Sequence, residues 1–306
     1  MAALRIPRRP GAFFLSAAAL ALTGVLAPGS GAAPPVAACD TATAVTAVAA
    51  PAPVLDWAEN LGFDAQGNLW VSRLYRNEVQ RYDAAGTLTA TVAVEFPGAV
   101  RLGPDGLLYV VYGDAPVSVV RPGGVLRFDP AAAVPKPEVF VSGLTMPNGA
   151  TFDPSGNLYV ATVSGVAKVA PDGAVDAAWG APLAGLAANG AAVHDGVLYV
   201  TANGGPLGRI VRIPLTAPVD HGTVTDLSSG LPGLPDFADD LLADPTGILY
   251  VTTLTGQLIR VDPATAAACA VLQTQPLTAV AAVPARPDQL IATTESGALL
   301  RVGLSR

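Results

Sequence analysis

The chain has 306 residues, a formal net charge of −7 and a charged fraction of only 13%. Hydrophobic residues make up 51% of it, which is enough for a large buried core and excludes an intrinsically disordered chain. Because an acidic chain with scattered basic residues does not attract phosphate groups, the composition also argues against a nucleic-acid-binding protein or an anionic-membrane binder.

The N-terminus is predicted to be an export signal. Three arginines within the first nine residues precede an apolar stretch over residues 11–26, and small residues suited to cleavage follow. No second apolar span long enough for a membrane helix occurs later in the sequence. We therefore predict a signal peptide over residues 1–33 and a secreted or extracytoplasmic mature chain without a membrane span. An uncleaved anchor, twin-arginine export and lipidation at Cys39 remain alternatives.

The chain contains two cysteines, Cys39 and Cys269. An even number of cysteines in an exported protein predicts one disulfide. This disulfide would join the start of the mature chain to a late part of the sequence. The alternative is a pair of free or buried thiols.

A short phrase recurs along the chain. Residues 61–72 (LGFDAQGNLWVS) and 150–161 (ATFDPSGNLYVA) each indicate a strand, a turn with Asp and Gly, and a second strand. Six such phrases are spaced 39 to 51 residues apart at their central residues, which are Trp70, Tyr109, Tyr159, Tyr199, Tyr250 and Ile291. Self-similarity at this period predicts a propeller or a solenoid.

Each phrase continues with a third strand that carries one basic residue, such as residues 79–83 (VQRYD), and then with a less regular fourth strand. Six repeats of four strands predict an all-β fold, a six-bladed β-propeller with four-stranded antiparallel blades over residues 34–306. The last repeat stops after its third strand, whereas residues 40–50 are permissive for a strand. We expect this N-terminal strand to close the ring and the disulfide to hold the closure.

At one position of the repeat the residue type differs from blade to blade, although the fold itself does not require different residues there. It lies ten to twelve residues before each central residue, according to the length of the turn, where the innermost strand of a blade begins. In a propeller these six positions, called the mouth positions below, converge on one opening of the central channel. They are occupied by Glu59, Gly98, Asn148, Asn189, Asp239 and Ala279.

Four mouth positions carry a side-chain oxygen, although Gly98 and Ala279 indicate that a small residue is sufficient for the fold. Oxygen ligands without His or Cys are typical of Ca²⁺ sites, and next of Mg²⁺ or Mn²⁺ sites. The sequence therefore predicts one divalent cation, with Ca²⁺ preferred and Mg²⁺, Mn²⁺ or Zn²⁺ as alternatives. Its predicted ligands are Glu59, Asn148, Asn189 and Asp239. Alternatively, these side chains cap strands or hydrogen-bond around a water-filled channel.

These motifs resemble the gluconolactonase and senescence-marker-protein superfamily of regucalcin-like propellers, to which paraoxonases and diisopropylfluorophosphatase-type enzymes are related. The resemblance is carried by residues 59–64 (ENLGFD), 146–149 (MPNG), 189–190 (NG) and 238–240 (ADD). In this superfamily a Glu, two Asn and an Asp from separate blades hold a catalytic divalent cation. The resemblance implies the same role for Glu59, Asn148, Asn189 and Asp239.

The sequence also departs from the related enzymes. Paraoxonases follow the first-blade Glu with an acid that helps to hold a second ion, but this chain has Asn60 there and Gly149 after Asn148. A second ion in the channel is therefore not expected. Paraoxonases also use paired histidines, whereas the two histidines of this chain, His194 and His221, fall in a turn predicted on the opposite face and in a polar loop.

The resemblance implies hydrolysis of a small lactone or ester, sugar lactones included. A cation at the channel mouth would polarise the carbonyl group of the substrate and stabilise the developing oxyanion. Without a suitable His or Cys, the general base is expected to be a carboxylate. Asp239 is the first candidate, Asp240 the second, and Asp236 a third if the loop before it folds over the site.

Loops on the same mouth are expected to select the substrate, and Tyr75, Tyr112 and Asn203 are predicted to contact it. We expect a monomer. Three other functions stay open: a non-catalytic propeller that binds a protein or carbohydrate ligand, with a structural metal or none; a strictosidine-synthase-like enzyme; and a lyase that acts through the same metal.

Overall fold

The computed structural model describes residues 35–39, 42–205, 207–228 and 236–304. The predicted signal peptide, residues 1–33, lies outside this part of the chain. None of the helices within the described ranges has the length and apolar character needed to cross a membrane.

The described residues form 23 strands in six antiparallel sheets, the blades of the ring. The strand β1 (Thr43–Val48) belongs to the last blade. Blade 1 consists of β2 (Ala58–Phe63), β3 (Leu69–Arg73), β4 (Glu78–Tyr82) and β5 (Leu88–Ala93). Blade 2 consists of β6 (Val100–Leu102), β7 (Leu108–Tyr112), β8 (Gly123–Phe128) and β9 (Glu138–Leu144). Blade 3 contains β10 (Pro147–Phe152), β11 (Leu158–Thr162) and β12 (Gly165–Val169).

The remaining three blades have four strands each. Blade 4 consists of β13 (Ala188–His194), β14 (Val197–Ala202), β15 (Gly208–Pro214) and β16 (Gly222–Leu227). Blade 5 consists of β17 (Ala238–Ala243), β18 (Leu249–Thr253), β19 (Gln257–Asp262) and β20 (Ala267–Gln273). Blade 6 consists of β21 (Leu277–Val283), β22 (Arg286–Thr294), β23 (Leu299–Gly303) and β1. The six-bladed β-propeller predicted from the repeats is confirmed.

The hydrophobic core lies between neighbouring blades. Trp70 of blade 1 packs among residues of blade 2 such as Val100 and Leu108. Tyr159 of blade 3 packs in the same way among residues of blade 4 such as Leu198. The central residue of one blade therefore fills the space against the next blade, and burial of large rings explains why five of the six central residues are aromatic.

The ring is closed by the N-terminal strand, as predicted. In blade 6, β1 pairs with β23, and Thr43 lies opposite Gly303. The disulfide Cys39–Cys269 is also present, with Cα atoms 5.4 Å apart. Because Cys269 lies in β20 of blade 5, Cys39 is tied to blade 5 and the following strand β1 to blade 6.

Blade 3 departs from the four-stranded prediction. After β12 the alanine-rich chain forms the short helix α1 (Ala177–Gly180), and Asp176 accepts a hydrogen bond at this helix from the backbone of Trp179, at 3.0 Å. Alanine favours a helix and Asp is a good N-cap residue, which explains the change. Trp179 packs against Tyr159 with ring centroids 5.0 Å apart, so a helix covers the flank where a fourth strand was expected.

Candidate active site

A β-bulge lies at the start of the innermost strand in five blades. In blade 1, Ala58 pairs with Arg73 and Leu61 with Val71, so Glu59 and Asn60 together face one residue. The same register shift occurs in the other four at Asn148–Gly149, Asn189–Gly190, Asp239–Asp240 and Thr278–Ala279. Bulges bend a strand and redirect its side chains, and they are frequent beside active sites. In blades 1, 3, 4 and 5 the mouth position is the first residue of the bulge, whereas in blade 6 the first residue is Thr278. The mouth position predicted at Ala279 is therefore wrong by one residue, because the turn of this blade is two residues longer than that of blade 1.

The backbone just before four mouth positions is left-handed. The residues two positions earlier, Phe96, Met146, Ala187 and Phe237, have φ values of 42°, 43°, 51° and 52°. Residues other than glycine adopt this conformation rarely, because it costs energy, and they cluster at functional sites. Strained backbone therefore surrounds the channel mouth.

Hydroxyl groups bind the backbone at the bulges and join neighbouring blades. Ser72 in β3 donates to the carbonyl oxygen of Gly98 in the next blade, at 2.5 Å. Thr201 in β14 donates to the carbonyl oxygen of Asp239 in the next blade, also at 2.5 Å. These contacts fix the mouth positions of successive blades relative to one another.

Asn148 joins two carboxyl groups at the mouth. Its Nδ2 donates to Oε1 of Glu59 and to Oδ2 of Asp114, both at 2.9 Å. Trp57 Nε1 donates to the other oxygen of Glu59 at 2.5 Å. Since both amide hydrogens of Asn148 are used by carboxyl groups, Oδ1 is its only side-chain atom that can act as a cation ligand.

Four carboxyl groups influence one another here. Burial raises the pKa of Glu59. Burial and the neighbouring charge of Glu59 raise the pKa of Asp114 well above its ordinary value. Burial raises the pKa of Asp239 well above its ordinary value too, and the charges of Glu59, Asp240, Asp114 and Glu295 add to this effect. Glu295 has a raised pKa through burial and the charge of Glu59. A positive charge at the centre would relieve this repulsion.

The residues present fit a hard divalent cation. Asn189 Oδ1 is buried and accepts no hydrogen bond within the described part of the chain, so this amide oxygen is available to bind a cation. Among the described residues, no three His, Cys, Asp or Glu side chains form a metal-binding group by themselves. A site here must therefore combine carboxylate and amide oxygens, a donor set that suits Ca²⁺ better than Zn²⁺.

The metal-free protein is expected to lose stability as the pH rises. Since Asp114 and Asp239 have raised pKa values when folded, the folded state binds protons more tightly than the unfolded state, and the free energy of unfolding falls above the ordinary Asp value of 3.8. Carboxyl groups with lowered pKa values, such as Asp153, act in the opposite sense below that value. Urea unfolding of chelator-treated protein between roughly pH 4 and 8 measures the fall. Excess Ca²⁺ should largely remove this fall in stability with pH. A free energy of unfolding that stays constant or rises with pH in the absence of Ca²⁺ would contradict the raised pKa values of these carboxyl groups.

Asp240 lies in the channel beside an arginine. Its Oδ2 accepts hydrogen bonds from Arg101 Nη2 at 3.1 Å and from Asn60 Nδ2 at 3.0 Å, and the residue is only 1% exposed. Arg101 Nη1 also donates to Asn60 Oδ1 at 2.7 Å and to two backbone carbonyls. The guanidinium group neutralises Asp240 inside the channel.

Arg101 could have been identified from the repeat. The corresponding positions, opposite the central residue of each of the other five blades, carry uncharged residues, which are Gly62, Thr151, Ala192, Leu242 and Ala281. Arg101 also lines a cavity of about 340 Å³ at the opposite end of the channel, whose other lining residues include Phe63 and Leu241. The predicted site residues are not part of this lining.

Two of the predicted substrate-contacting residues lie near the mouth. Tyr75 is 46% exposed and packs edge-to-face on Trp57, with ring centroids 5.7 Å apart. Burial, and then the charges of Glu59, Asp114 and Glu295, raise the pKa of Tyr75. Asn203 Nδ2 donates to the carbonyl oxygen of Ala238, next to Asp239, at 2.7 Å.

The other candidates have different surroundings. Tyr112 packs against the core between blades 1 and 2, and burial raises its pKa. Asp236 is fully buried and accepts a hydrogen bond from Thr255 in the turn between β18 and β19. His194 ends β13, at the opposite end of the blade from the mouth positions, and His221 is exposed. The structure thus groups Asp114 and Glu295, rather than these residues, with the mouth positions.

The comparisons with known proteins bear on the fold. No protein-family model and no curated protein matches the sequence. Among solved structures, a gluconolactonase from Xanthomonas campestris is 18% identical with a TM-score of 0.66, over 90% of this chain and 99% of that one. A calcium-binding protein, regucalcin, from Agrobacterium tumefaciens is 17% identical with a TM-score of 0.67, over 88% and 96%.

A PQQ-bound aldose sugar dehydrogenase from Streptomyces coelicolor is similar to the same degree, with 18% identity and a TM-score of 0.64 over 89% of this chain and 99% of that one. One fold therefore carries different chemistries among these proteins. The structural neighbours of this chain include gluconolactonase and regucalcin propellers, which confirms the fold that the sequence resemblance implied.

Proposed function

We propose that this protein is a divalent-cation-dependent hydrolase of small lactones or esters. The observation that supports this proposal best is the grouping of Glu59, Asn148 and Asp239 at one mouth, where burial and mutual repulsion raise the pKa values of the acids. The fold shared with a gluconolactonase is consistent with it, although fold alone does not decide function.

Glu59, Asn148, Asn189 and Asp239 would hold the cation, with Ca²⁺ preferred. When bound, the cation supplies a Lewis acid that polarises a carbonyl group and lowers the pKa of water. Trp57 holds Glu59 through its hydrogen bond, and the hydroxyl group of Thr201 holds the backbone of Asp239. These contacts would position the two ligand residues in advance and so lower the cost of ordering them around the cation.

Asp239 is proposed as the general base. Its carboxylate takes a proton from the water molecule whose oxygen bonds to the carbonyl carbon of the substrate. The carbon–oxygen bond of the lactone or ester then breaks, and the leaving oxygen takes up a proton to give a hydroxyl group beside the new carboxylate. Asp240 is less suited, because Arg101 and Asn60 engage it.

The mouth favours an uncharged substrate. It is lined by carboxyl groups, and two arginines of the surrounding loops are engaged by acids: Arg76 by Asp56 and Arg121 by Glu95. Tyr75 adds an exposed aromatic surface. An anionic substrate would be repelled, and so would the carboxylate product, which would promote its release.

We also propose that the protein acts outside the cytoplasm, as a monomer. The disulfide Cys39–Cys269 supports an oxidising compartment, where such bonds persist. The signal peptide over residues 1–33 and the propeller domain over 34–306 are part of this proposal.

A panel of uncharged lactones and esters tests the proposal. We expect the purified protein to hydrolyse at least one of them, to lose this activity in a chelator and to regain it with Ca²⁺. Glu95→Gln, which removes an exposed carboxylate paired with Arg121, should leave the activity unchanged. Folded, Ca²⁺-loaded protein that hydrolyses no member of the panel, or hydrolysis that resists the chelator, would refute the proposal.

A further inference from the structure

A second set of residues with a common register lies two positions before the mouth positions. In blades 1 to 5 these residues, called the collar below, are Trp57, Phe96, Met146, Ala187 and Phe237. In four of these blades the innermost strand begins at the next residue, so the collar surrounds the opening just outside the predicted cation ligands. All of the collar side chains except Ala187 are large and apolar.

The backbone of the collar does not require large side chains. Phe96, Met146 and Phe237 have left-handed backbone conformations, which glycine adopts freely and other residues adopt only at a cost. Phe96 and Met146 also precede prolines, and a residue in that position favours an extended backbone. Glycine would therefore fit all three positions with less strain. Large apolar residues in a strained backbone beside a site indicate that their side chains have a role there.

The hydrophobic core does not use these side chains either. Within the described part of the chain, Phe96, Met146 and Phe237 do not belong to the clusters that pack between blades. Phe237 is 37% exposed, although both of its neighbours, Asp236 and Ala238, are completely buried. Its ring is therefore directed away from the blade and reaches solvent at the mouth.

Trp57 connects the collar to the predicted cation site. Its Nε1 donates to Oε2 of Glu59 at 2.5 Å, and its ring packs edge-to-face on Tyr75. Since the indole N–H group is used by Glu59, the rest of the ring presents only carbon. The two aromatic rings thus form an apolar wall that begins at a predicted ligand and ends at the exposed side chain of Tyr75. A substrate whose carbonyl group lies at the cation would place its substituent against this wall.

We propose that the collar and Tyr75 bind an apolar substituent of the substrate, so that the protein prefers lactones or esters with an alkyl or aryl group to polyhydroxylated ones such as sugar lactones. This inference rests on the proposed function, because it places the carbonyl group of the substrate at the cation site. Hydroxyl groups that leave water need hydrogen-bonding partners, which the side chains of Phe96, Met146 and Phe237 do not offer. An alkyl or aryl group needs none, and its contact with the collar removes apolar surface of both partners from water.

Hydrolysis of a matched pair of γ-lactones tests the role of the collar. One lactone carries a linear alkyl chain on its ring and the other a hydroxymethyl group at the same position. We expect the wild type to have the higher kcat/KM for the alkyl lactone. Phe237→Ala should lower the ratio of the two kcat/KM values roughly 10-fold, since an apolar contact with the substrate is lost.

Val139→Ala is the matched control. Val139 is 62% exposed and lies in β9, the outermost strand of blade 2, so its replacement also shortens an exposed apolar side chain but far from the channel. This variant should keep the wild-type ratio. A wild type that prefers the hydroxymethyl lactone, or an unchanged ratio in Phe237→Ala, would overturn the inference while leaving the hydrolase itself in place.

Binding of a ketone that cannot be hydrolysed separates this inference from the proposed function. A 2-alkylcyclopentanone has a ring and chain like those of the alkyl lactone but no scissile bond, and 2-(hydroxymethyl)cyclopentanone is its polar counterpart. Of the three tryptophans, Trp70 and Trp179 are buried, so a change in fluorescence on binding reports Trp57 at the mouth. We expect the alkyl ketone to bind more tightly than its counterpart.

Phe237→Gly distinguishes a binding role from a structural one. It should weaken binding of the alkyl ketone roughly 10-fold, yet keep or raise the melting temperature, because glycine relaxes the left-handed backbone. A lower melting temperature with unchanged ketone affinity, or equal binding of the two ketones by the wild type, would overturn the inference. If the protein binds the alkyl ketone but hydrolyses no lactone or ester, the proposed function fails and the collar remains an apolar binding surface.

Discussion

Replacing Asp239 with asparagine is expected to lower kcat/KM for the best lactone or ester by about 10²- to 10⁴-fold, the usual contribution of a general base. The variant keeps the size of the side chain and one ligand oxygen, but it cannot accept a proton. Because Asp239 is only 5% exposed and repelled by neighbouring acids, the substitution should not unfold the protein. Activity measured at saturating Ca²⁺ separates the loss of the base from weaker cation binding.

Asp195→Asn is the matched control for this experiment. Asp195 lies in the turn between β13 and β14, at the far end of the blade, and its side chain is 91% exposed. Its backbone is left-handed, with φ of 45°, a conformation that Asn tolerates as well as Asp does. The control should retain full activity. If Asp239→Asn also retains activity within a few-fold of the wild type, Asp239 is not the base.

Replacing Arg101 with methionine is expected to lower the free energy of unfolding by about 3 kcal/mol, the low end of the range for breaking a buried ion pair. The substitution leaves the buried Asp240 carboxylate without its cation. It also removes a donor from the side-chain oxygen of Asn60 and from two backbone carbonyls. Urea unfolding in the presence of Ca²⁺ measures the loss.

The double variant Arg101→Met, Asp240→Asn tests the cause. Removing the unpaired negative charge of Asp240 should raise the free energy of unfolding by about 1 kcal/mol or more relative to Arg101→Met, because the effects of contacting residues are not additive. If the double variant is as unstable as the sum of the two single variants, the contact between Arg101 and Asp240 is not what stabilises the channel.

The sequence predicts the six-bladed ring because packing between blades requires similar residues at the same place in each repeat. Trp70 and Tyr159 recur at a fixed place since each fills the space against the next blade. The closing strand β1 is predictable as well, because the last repeat lacks one strand. The helix α1 in blade 3 is not predictable from the sequence, since four residues are too few to show a helical period.

Five of the six mouth positions could be predicted because the repeat gives them a common register. In blade 6 the longer turn moves the position from Ala279 to Thr278. Asp114 and Glu295 lie in loops of unequal length, which have no register to count. The sequence also does not predict where the side chain of Tyr112 points, because a position at the end of a strand does not show on which face of the sheet its side chain lies. The bulges and the left-handed Phe96 and Met146 depend on contacts between blades, and no glycine marks these two positions.

The most direct test of the cation site is a crystal structure with Mn²⁺ replacing Ca²⁺, where anomalous scattering locates the ion. We expect one anomalous peak at the channel mouth, with ligand oxygens roughly 2.1–2.6 Å away. The expected ligands are Glu59, Asn148, Asn189 and Asp239, with Asp114 beside them. A mouth without a peak, or a single peak deeper in the channel near Asp240, would contradict a cation site formed by these residues.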